Sequence, residues 1–389
     1  PSGHNVQIMS HEAGWALCRW HARPERILAQ GLIALALSGL GWSAAFAAPA
    51  PAAALQAGRA ALDDGFYEIA LSNLAVAAAQ AGDRGSRAEA ALLTAQALAG
   101  LQRFPAALEL LRQKQNLADT PARECDFDYW ITRVLYDSGA WPEALRAAEA
   151  HVRRFPESVY LPLVQRLRGR CLIQLKEPEE ALRVFAALAK DYAFLPELAA
   201  DNLRDWAALL VQMNHPDEAR EKLLRLLADY PHSAAAEPAR LWLAKLWIED
   251  REWERADAAL RELARRETAR PENRAEAWFE LARLAEAQTN WNGATQALAQ
   301  AAAVAPDSVT RARALAARGL IMVRGGDLTN GPAAVREALA ALPPGPEAGA
   351  LQLDLAQRLL DQRSFEQAAA EFQHYLDAFT NQEGQAAAQ

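Results

Sequence analysis

The feature that most constrains the fold is a repeat of 37 or 38 residues that runs through the chain. The stretches GAWPEALRAAEA, EWERADAALREL, NWNGATQALAQA and SFEQAAAEFQHY each have an aromatic residue, two variable residues, an alanine and an apolar stripe. We call the position of that alanine the anchor. Its nine occupants are Ala70, Ala107, Ala144, Ala181, Ala219, Ala256, Ala294, Gly331 and Ala368. A fixed period of this size indicates stacked supersecondary units rather than compact domains.

Each repeat has a second small residue, twelve positions before the anchor. It is glycine or alanine in eight of the nine repeats, and Thr132 in the third. Two helices need residues this small where their axes approach closely, because a longer side chain would push them apart. Apolar residues follow each of the two small positions at helical spacing and form an apolar stripe with it. The sequence therefore predicts two helices in each repeat.

The ends of the second helix are also marked. Three positions before the anchor stands an aromatic residue, a proline or, in the eighth repeat, Leu328, and we expect the helix to begin there. Prolines twelve positions after the anchor are expected to end it, and they are Pro156, Pro231, Pro306 and Pro343. Three of these prolines continue as Pro-x-Ser, and the serine is expected to cap the next helix.

This pattern of a small residue, an alanine and a proline resembles the tetratricopeptide repeat, whose unit has 34 residues. The FPES, YPHS and APDS endings are similar to those of bacterial cell-envelope members, such as proteins near the outer-membrane assembly machinery and the Tol-Pal system. The resemblance implies an all-α, right-handed superhelical solenoid of about nine helix-turn-helix repeats over residues 48–382. Residues 383–389 are polar and are expected to form a disordered tail.

The first 47 residues predict a targeting segment. After the arginine-containing RWHARPER, residues 27–47 form a run of 21 residues without a charge that ends in Ala45-Phe46-Ala47, a small-x-small pattern. This predicts a cleaved signal peptide over residues 1–47 and a periplasmic or secreted protein. The alternative is an uncleaved inner-membrane anchor, because a run of this length can just span a bilayer.

The sequence shows no motif for catalysis. The histidines after residue 47 lie in separate repeats and form no metal-binding pattern, and they are His151, His215, His232 and His374. We interpret His151 as a surface or half-buried residue and both later cysteines, Cys125 and Cys171, as small buried hydrophobic residues. The prediction is therefore a protein that is not an enzyme and has no metal or cofactor. The net charge of -8 argues against a nucleic-acid partner.

In the tetratricopeptide-repeat family the first helices line the concave face, which implies a groove here. Its residues would be basic with flanking aromatics: Tyr129, Arg133, Arg166, Arg170, Arg204, Lys245, Phe279 and Arg283. One hypothesis is that they bind an extended acidic peptide or a free C-terminal carboxylate. The other is that they pair internally with acidic residues eighteen positions before the anchors, which are Glu89, Asp126, Asp201 and Glu276. The family's carboxylate clamp uses asparagine where this chain has arginine, so that clamp is not expected.

The resulting prediction is a non-enzymatic protein–protein interaction scaffold of the bacterial periplasm or cell envelope that binds a partner segment in the groove. The alternative is an accessory protein of envelope polysaccharide secretion or outer-membrane assembly, in which the aromatic residues would matter more.

The last helix has an apolar face formed by Phe372, Tyr375, Leu376 and Phe379. Because a stacked repeat normally covers such a face, we predict an interface there, for self-association or a partner. Membrane contact is expected only through an uncleaved N-terminal segment.

Overall fold

The computed structural model describes residues 51–378, and its regular structure is entirely helical there. This part of the chain contains 18 α-helices and one short 3-10 helix, which confirms the predicted all-α repeat fold with two helices in each of nine repeats. The predicted signal segment, residues 1–47, and the predicted tail, residues 383–389, lie outside the described residues.

The described residues divide into two compact units, at the junction between His215 and Pro216. The repeat pattern predicts a single solenoid over residues 48–382, and this junction lies inside the fifth repeat, between its first and second helices. Each unit is therefore described by itself.

The first unit, within residues 51–215, contains nine α-helices. They are α1 (Pro51–Asp63), α2 (Tyr67–Gln80), α3 (Arg84–Gly100), α4 (Phe104–Lys114), α5 (Pro121–Asp137), α6 (Trp141–Arg154), α7 (Leu161–Gln174), α8 (Pro178–Asp191) and α9 (Pro196–Gln212), with the 3-10 helix Gln115–Leu117 after α4. Each helix packs against the next along the chain, and the first helices of adjacent repeats also contact each other. The core of this unit lies between first and second helices and consists of several hydrophobic clusters.

The second unit, within residues 216–378, contains the remaining nine α-helices. They are α10 (Pro216–Asp229), α11 (Ala236–Glu249), α12 (Trp253–Arg265), α13 (Pro271–Ala287), α14 (Trp291–Val304), α15 (Ser308–Arg324), α16 (Asn330–Ala340), α17 (Pro346–Asp361) and α18 (Phe365–Ala378). Successive helices again pack against each other, and first helices are in contact in the pairs α11–α13 and α15–α17.

The small residues lie where helices approach most closely, as predicted. The anchor alanines are buried throughout the described residues. In the eighth repeat, a Cβ atom added to Gly319 would lie 2.7 Å from the carbonyl oxygen of Gly331 and 2.6 Å from Val335 Cγ2. There is no room for a methyl group between α15 and α16, which explains why both positions are glycine.

The predicted helix starts are confirmed in eight of nine second helices. The exception is α16, which begins at Asn330 rather than Leu328. Asp327 explains the difference, because its Oδ1 accepts hydrogen bonds from the backbone N–H groups of Thr329 and Asn330 at 3.3 and 2.9 Å. The carboxylate satisfies donors that a helix would otherwise leave open and so delays the first turn.

The predicted serine caps are wrong. The side chain of Ser158 accepts a hydrogen bond from the N–H of Tyr160 at 3.0 Å, inside the loop before α7. The cap of α15 is Asp307, one residue before Ser308, and its carboxylate accepts from the N–H of Thr310 at 2.7 Å. Ser158 therefore bonds within a loop and Ser308 is the first residue of α15, and neither side chain caps a helix.

Each turn between the two helices of a repeat contains one residue in the left-handed region, five positions before the anchor. The φ angles lie between 56° and 95°, and the residues are Gly65, Gln102, Gly139, Lys176, Asn214, Arg251, Thr289, Gly326 and Arg363. Within residues 51–378, no helix combines the length and the apolar character needed to cross a membrane.

Candidate functional site

Arg166, the most buried of the predicted groove arginines, joins two helices of the first unit. Its side chain is only 9% exposed, with Nη1 2.8 Å from Asp201 Oδ2 and Nε 2.7 Å from Asp205 Oδ2. Burial acts to lower the pKa of Arg166, and the carboxylates of Asp205 and Asp201 more than offset it, so the pKa is raised. Arg166 therefore ties α7 to α9 and has little surface for a ligand.

The same two carboxylates also face two further arginines. Arg204 Nη2 lies 3.1 Å from Asp201 Oδ1, whereas Arg170 Nε is 3.9 Å from Asp205 Oδ2. Arg170 instead stacks on the ring of Tyr136, at 4.7 Å from the ring centroid. Three guanidinium groups thus share two carboxylates, which leaves one excess positive charge on this surface.

The first two residues of the predicted groove, Tyr129 and Arg133, do not present free surfaces to a ligand as predicted. Arg133 Nε lies 2.7 Å from Asp137 Oδ2 one turn along the same helix. Tyr129 is a core residue and not the exposed contact that the sequence predicted. Its ring stacks on Tyr160 with centroids 4.3 Å apart and packs edge-on against Trp130, which removes it from the surface.

The predicted groove residues of the second unit form a separate cluster. Lys245 Nζ lies 2.8 Å from Glu276 Oε1 and 3.1 Å from Glu280 Oε1, so it joins α11 to α13. Arg283 Nη1 lies 3.1 Å from Glu280 Oε2, and its side chain is 68% exposed. Phe279 is half-buried and packs against the core between α13 and its neighbours. Arg283 is therefore the accessible member of this cluster.

Three of the four predicted internal acid partners are confirmed. Glu89 pairs with Arg59, and the other two confirmed pairs are Arg166 with Asp201 and Lys245 with Glu276. The fourth acid, Asp126, faces the hydroxyl of Tyr160 instead. Internal pairing thus occupies most of the basic side chains of the predicted groove, and Arg170 has the longest contact among them, at 3.9 Å from Asp205.

The predicted C-terminal interface is partly covered. Tyr375 is buried, and Phe372 is half-buried against the core formed by α15 to α18. Leu376 is half-buried. Phe379 lies outside the described residues. The exposed apolar side chain on α18 is Phe365, at the start of the helix.

A buried polar cluster lies between α5 and α6, and the sequence analysis did not predict it. His151 has no exposed surface, and its Nδ1 lies 3.1 Å from Asp128 Oδ2. Its Nε2 lies 3.3 Å from Ser158 Oγ and 3.8 Å from Cys125 Sγ. The interpretation of His151 as a surface or half-buried residue is wrong, because α6 turns the imidazole toward α5, where Asp128 gives it a partner.

Spacing alone contains no signal for this cluster, since Cys125 is 26 residues from His151 and 33 from Ser158. Burial raises the pKa of the Cys125 thiol, and the hydrogen bond to Ser158 opposes that change only in part. Among the described residues, no group of three or more histidine, cysteine, aspartate or glutamate side chains is arranged to hold a metal ion.

Comparison with known proteins finds a family similar to part of the repeat region. The model of the tetratricopeptide-repeat family matches residues 132–196, from within α5 to the start of α9, so this segment is similar to that family, in agreement with the predicted resemblance. No curated protein sequence matches this chain. Proteins built from such repeats generally mediate protein–protein interactions, and the fold is typically a non-enzymatic scaffold.

Solved structures of other repeat proteins are similar. The apo form of RapI is 12% identical, with 84% of this chain and 97% of RapI covered and a TM-score of 0.53. The C-terminal part of a repeat protein from Cytophaga hutchinsonii is 14% identical, with 67% of this chain and 98% of that chain covered and a TM-score of 0.48. A tetratricopeptide repeat protein from Parabacteroides merdae is 15% identical, with 68% and 96% covered and a TM-score of 0.46. The similarity to RapI shows the shared all-α repeat fold.

Proposed function

We propose that this chain is a non-enzymatic scaffold of the bacterial periplasm or cell envelope, and that it holds an acidic segment of a partner protein on the first helices of residues 51–215. The repeat fold supports the protein-binding role. The excess positive charge among Arg166, Arg170 and Arg204 supports an acidic ligand, because Asp201 and Asp205 neutralise only two of the three guanidinium groups.

The observation that carries this proposal is the environment of Arg170. Its side chain is 35% exposed, and its contact with Asp205 is 3.9 Å, too long for a strong hydrogen bond. The cation–π contact with Tyr136 restrains the guanidinium group without using its N–H donors. A carboxylate from a partner can therefore bind bidentately to Arg170 at a small cost in side-chain entropy.

The test measures binding of a fluorescent glutamate-rich peptide with a free C-terminus, by anisotropy. Arg170→Gln is expected to weaken binding by about 10- to 150-fold, since a charge-assisted hydrogen bond contributes about 1.5–3 kcal/mol. Arg146→Gln is the matched control, because Arg146 lies on the second helix α6 and is well exposed. Equal effects of the two variants would contradict the proposed site.

Salt gives an independent check of the same proposal. Binding through arginines should weaken sharply between about 50 and about 500 mM NaCl, because the added ions screen partly exposed charges. The alternative, polysaccharide binding by aromatic residues, predicts little change with salt. Tyr129 is buried and Phe279 half-buried, so two of the aromatic residues on which that alternative depends have little open surface.

The periplasmic location rests on residues 27–47 of the sequence and has its own test. A fusion of residues 1–60 to alkaline phosphatase without its own signal is expected to be active, because that enzyme forms its disulfides outside the cytoplasm. N-terminal sequencing of the mature chain then distinguishes cleavage after Ala47 from an uncleaved anchor. An inactive fusion would contradict export.

Self-association through the C-terminal helix stays a prediction. Tyr375 is buried, which leaves the half-buried Phe372 and Leu376 and the residue after the described range, Phe379, as candidates. The expected result is a concentration-dependent sedimentation coefficient that becomes constant in Phe379→Ala. A sedimentation profile identical in both proteins at all concentrations would argue against this interface.

A further inference from the structure

Three side chains converge in the polar cluster between α5, α6 and the loop before α7. Cys125 Sγ lies 3.8 Å from His151 Nε2, and Ser158 Oγ lies 2.8 Å from the sulfur and 3.3 Å from Nε2. The imidazole is fully buried, and the thiol is 7% exposed. A soft thiol sulfur and an imidazole nitrogen thus face each other in a largely buried site.

The other side of the imidazole fixes which nitrogen carries a lone pair. Asp128 Oδ2 lies 3.1 Å from Nδ1, and a carboxylate accepts hydrogen bonds, so the proton resides on Nδ1. Arg154 Nη1 donates to the second oxygen of Asp128 at 3.0 Å and holds the carboxylate in place. Nε2 therefore presents its lone pair to the thiol. The same carboxylate–histidine arrangement orients imidazoles that bind metal ions in proteins.

We propose that Cys125 and His151 form a site for one thiophilic metal ion of low coordination number, of the Cu(I) class, with Ser158 Oγ as a weak third donor. This inference does not depend on the proposed function. Soft thiolate and imidazole ligands together favour such an ion. Metal–sulfur and metal–nitrogen distances of about 2.3 and about 2.0 Å together exceed the 3.8 Å separation, so an ion bound to both atoms would lie to one side of the line between them, on the side of Ser158 Oγ.

Binding is a proton exchange without a redox step. The Sγ–H bond breaks, the thiolate coordinates the ion, and the proton leaves to solvent. With Nδ1 facing Asp128, Nε2 is the imidazole nitrogen that faces the sulfur. A four-ligand zinc site is not expected, because the described residues contain no group of three or more suitable ligands.

The second buried cysteine is a natural control. Cys171 has no exposed surface and packs among Leu135, Ala144 and other apolar residues of α5 to α7. A buried thiol without an imidazole beside it should not retain the ion. The difference between the two cysteines therefore measures the contribution of the paired site rather than that of a thiol alone.

The test is an anaerobic titration of the full chain, carrying Cys18→Ser so that Cys125 and Cys171 are its only thiols, with Cu(I) in the presence of the chelator bicinchoninate. We expect one Cu(I) retained per chain, unchanged in Cys171→Ser and lost in Cys125→Ser. His151→Gln is expected to weaken retention at least tenfold. Circular dichroism establishes that each variant is folded.

Two results would overturn the proposal. One is complete transfer of copper to bicinchoninate from the chain with both cysteines, which needs no variant to interpret. The other is equal loss of copper in Cys125→Ser and Cys171→Ser, which would show binding by thiols without the imidazole.

Discussion

At the scale of single residues, the turns between the two helices of a repeat place non-glycine residues in a backbone conformation that favours glycine. Every turn needs a left-handed residue, and only three of the nine occupants are glycine. A left-handed φ costs a non-glycine residue about 1–2 kcal/mol, and the cost is greatest for β-branched side chains. Thr289, with φ of 56°, is the one β-branched occupant.

Replacing Thr289 by glycine should therefore stabilise the protein. Its hydroxyl bonds only the neighbouring Gln288 carbonyl, so little else is lost. We expect Thr289→Gly to raise the free energy of unfolding by about 0.5–1 kcal/mol, after the entropy of a flexible glycine is subtracted. Urea denaturation measures the change. The reverse substitution, Gly139→Ala, should lower stability by a similar amount, and two shifts of the same sign would contradict the argument.

Cys171 makes stability depend on alkaline pH. Burial raises the pKa of its thiol to about 12 from an ordinary value near 9. The folded state thus favours the neutral thiol, and this stabilisation is complete below pH 9 and lost as the pH rises toward 12. At pH 10.5 the loss is about 2 kcal/mol.

Urea midpoints at pH 8 and pH 10.5 test that sign. The chain with Cys171→Ala should lose less stability over this interval than the original chain, although both lose some from tyrosines such as Tyr136, whose pKa is also raised by burial. Parallel pH profiles for the two proteins would show that Cys171 ionises equally in the folded and unfolded states.

Some residue environments could not be predicted from the sequence. His151 and Tyr129 lie in helices whose periodicity does not distinguish a buried polar residue from an exposed one. Their burial depends on partners in other helices, namely Asp128 and Tyr160, that only the packing brings close. The ion pairs were easier to predict, because a fixed repeat keeps the sequence distance between acidic and basic residues of neighbouring first helices constant.

At the scale of helices, the small residues determine the spacing between partners. Gly319→Ala places a methyl group against backbone, at the carbonyl oxygen of Gly331, which cannot rotate away. We expect a loss of about 1–3 kcal/mol in the free energy of unfolding, even though alanine favours helix more than glycine does. Thermal and urea unfolding measure it.

Gly82→Ala is the matched control for this prediction, because its added methyl group would meet no atom within 4 Å. The same chemical change should there be neutral or slightly stabilising. If Gly319→Ala were equally neutral, α15 and α16 would have to separate at little cost, and the interpretation of the small positions would fail.

Helix boundaries were predictable where covalent geometry decides them. Proline starts and stops were placed correctly, since proline restricts φ and lacks an N–H whatever its surroundings. The aromatic starts were placed correctly by their fixed position three residues before the anchor. The helix start at Asn330 and the caps near Ser158 and Ser308 were not predicted correctly. They depend on which of several nearby side chains accepts a hydrogen bond from an unpaired backbone N–H. In both α15 and α16 an aspartate side chain, Asp307 or Asp327, accepts the hydrogen bond at the start of the helix.

At the scale of the whole molecule, the repeat count was predictable but the division into two units was not. The period continues without interruption across His215 and Pro216, so nothing in the pattern distinguishes that junction from the other turns. Stability in repeat proteins is approximately a sum of local terms between neighbouring elements. Each unit should therefore hold enough internal packing to fold by itself.

Separate polypeptides covering residues 51–215 and 216–378 test this expectation. Both should be helical by circular dichroism at 222 nm and should unfold cooperatively in urea. A cut between Glu177 and Pro178 is the control, because it separates α8 from α7, where the fully buried Phe185 packs at Gly169. The polypeptide 51–177 lacks that ring and so loses its packing on α7, which should cost about 3–5 kcal/mol and exceed what a small domain can lose without unfolding or aggregating. If the 51–215 polypeptide were as disordered as the 51–177 polypeptide, the cooperative unit would have to extend beyond His215.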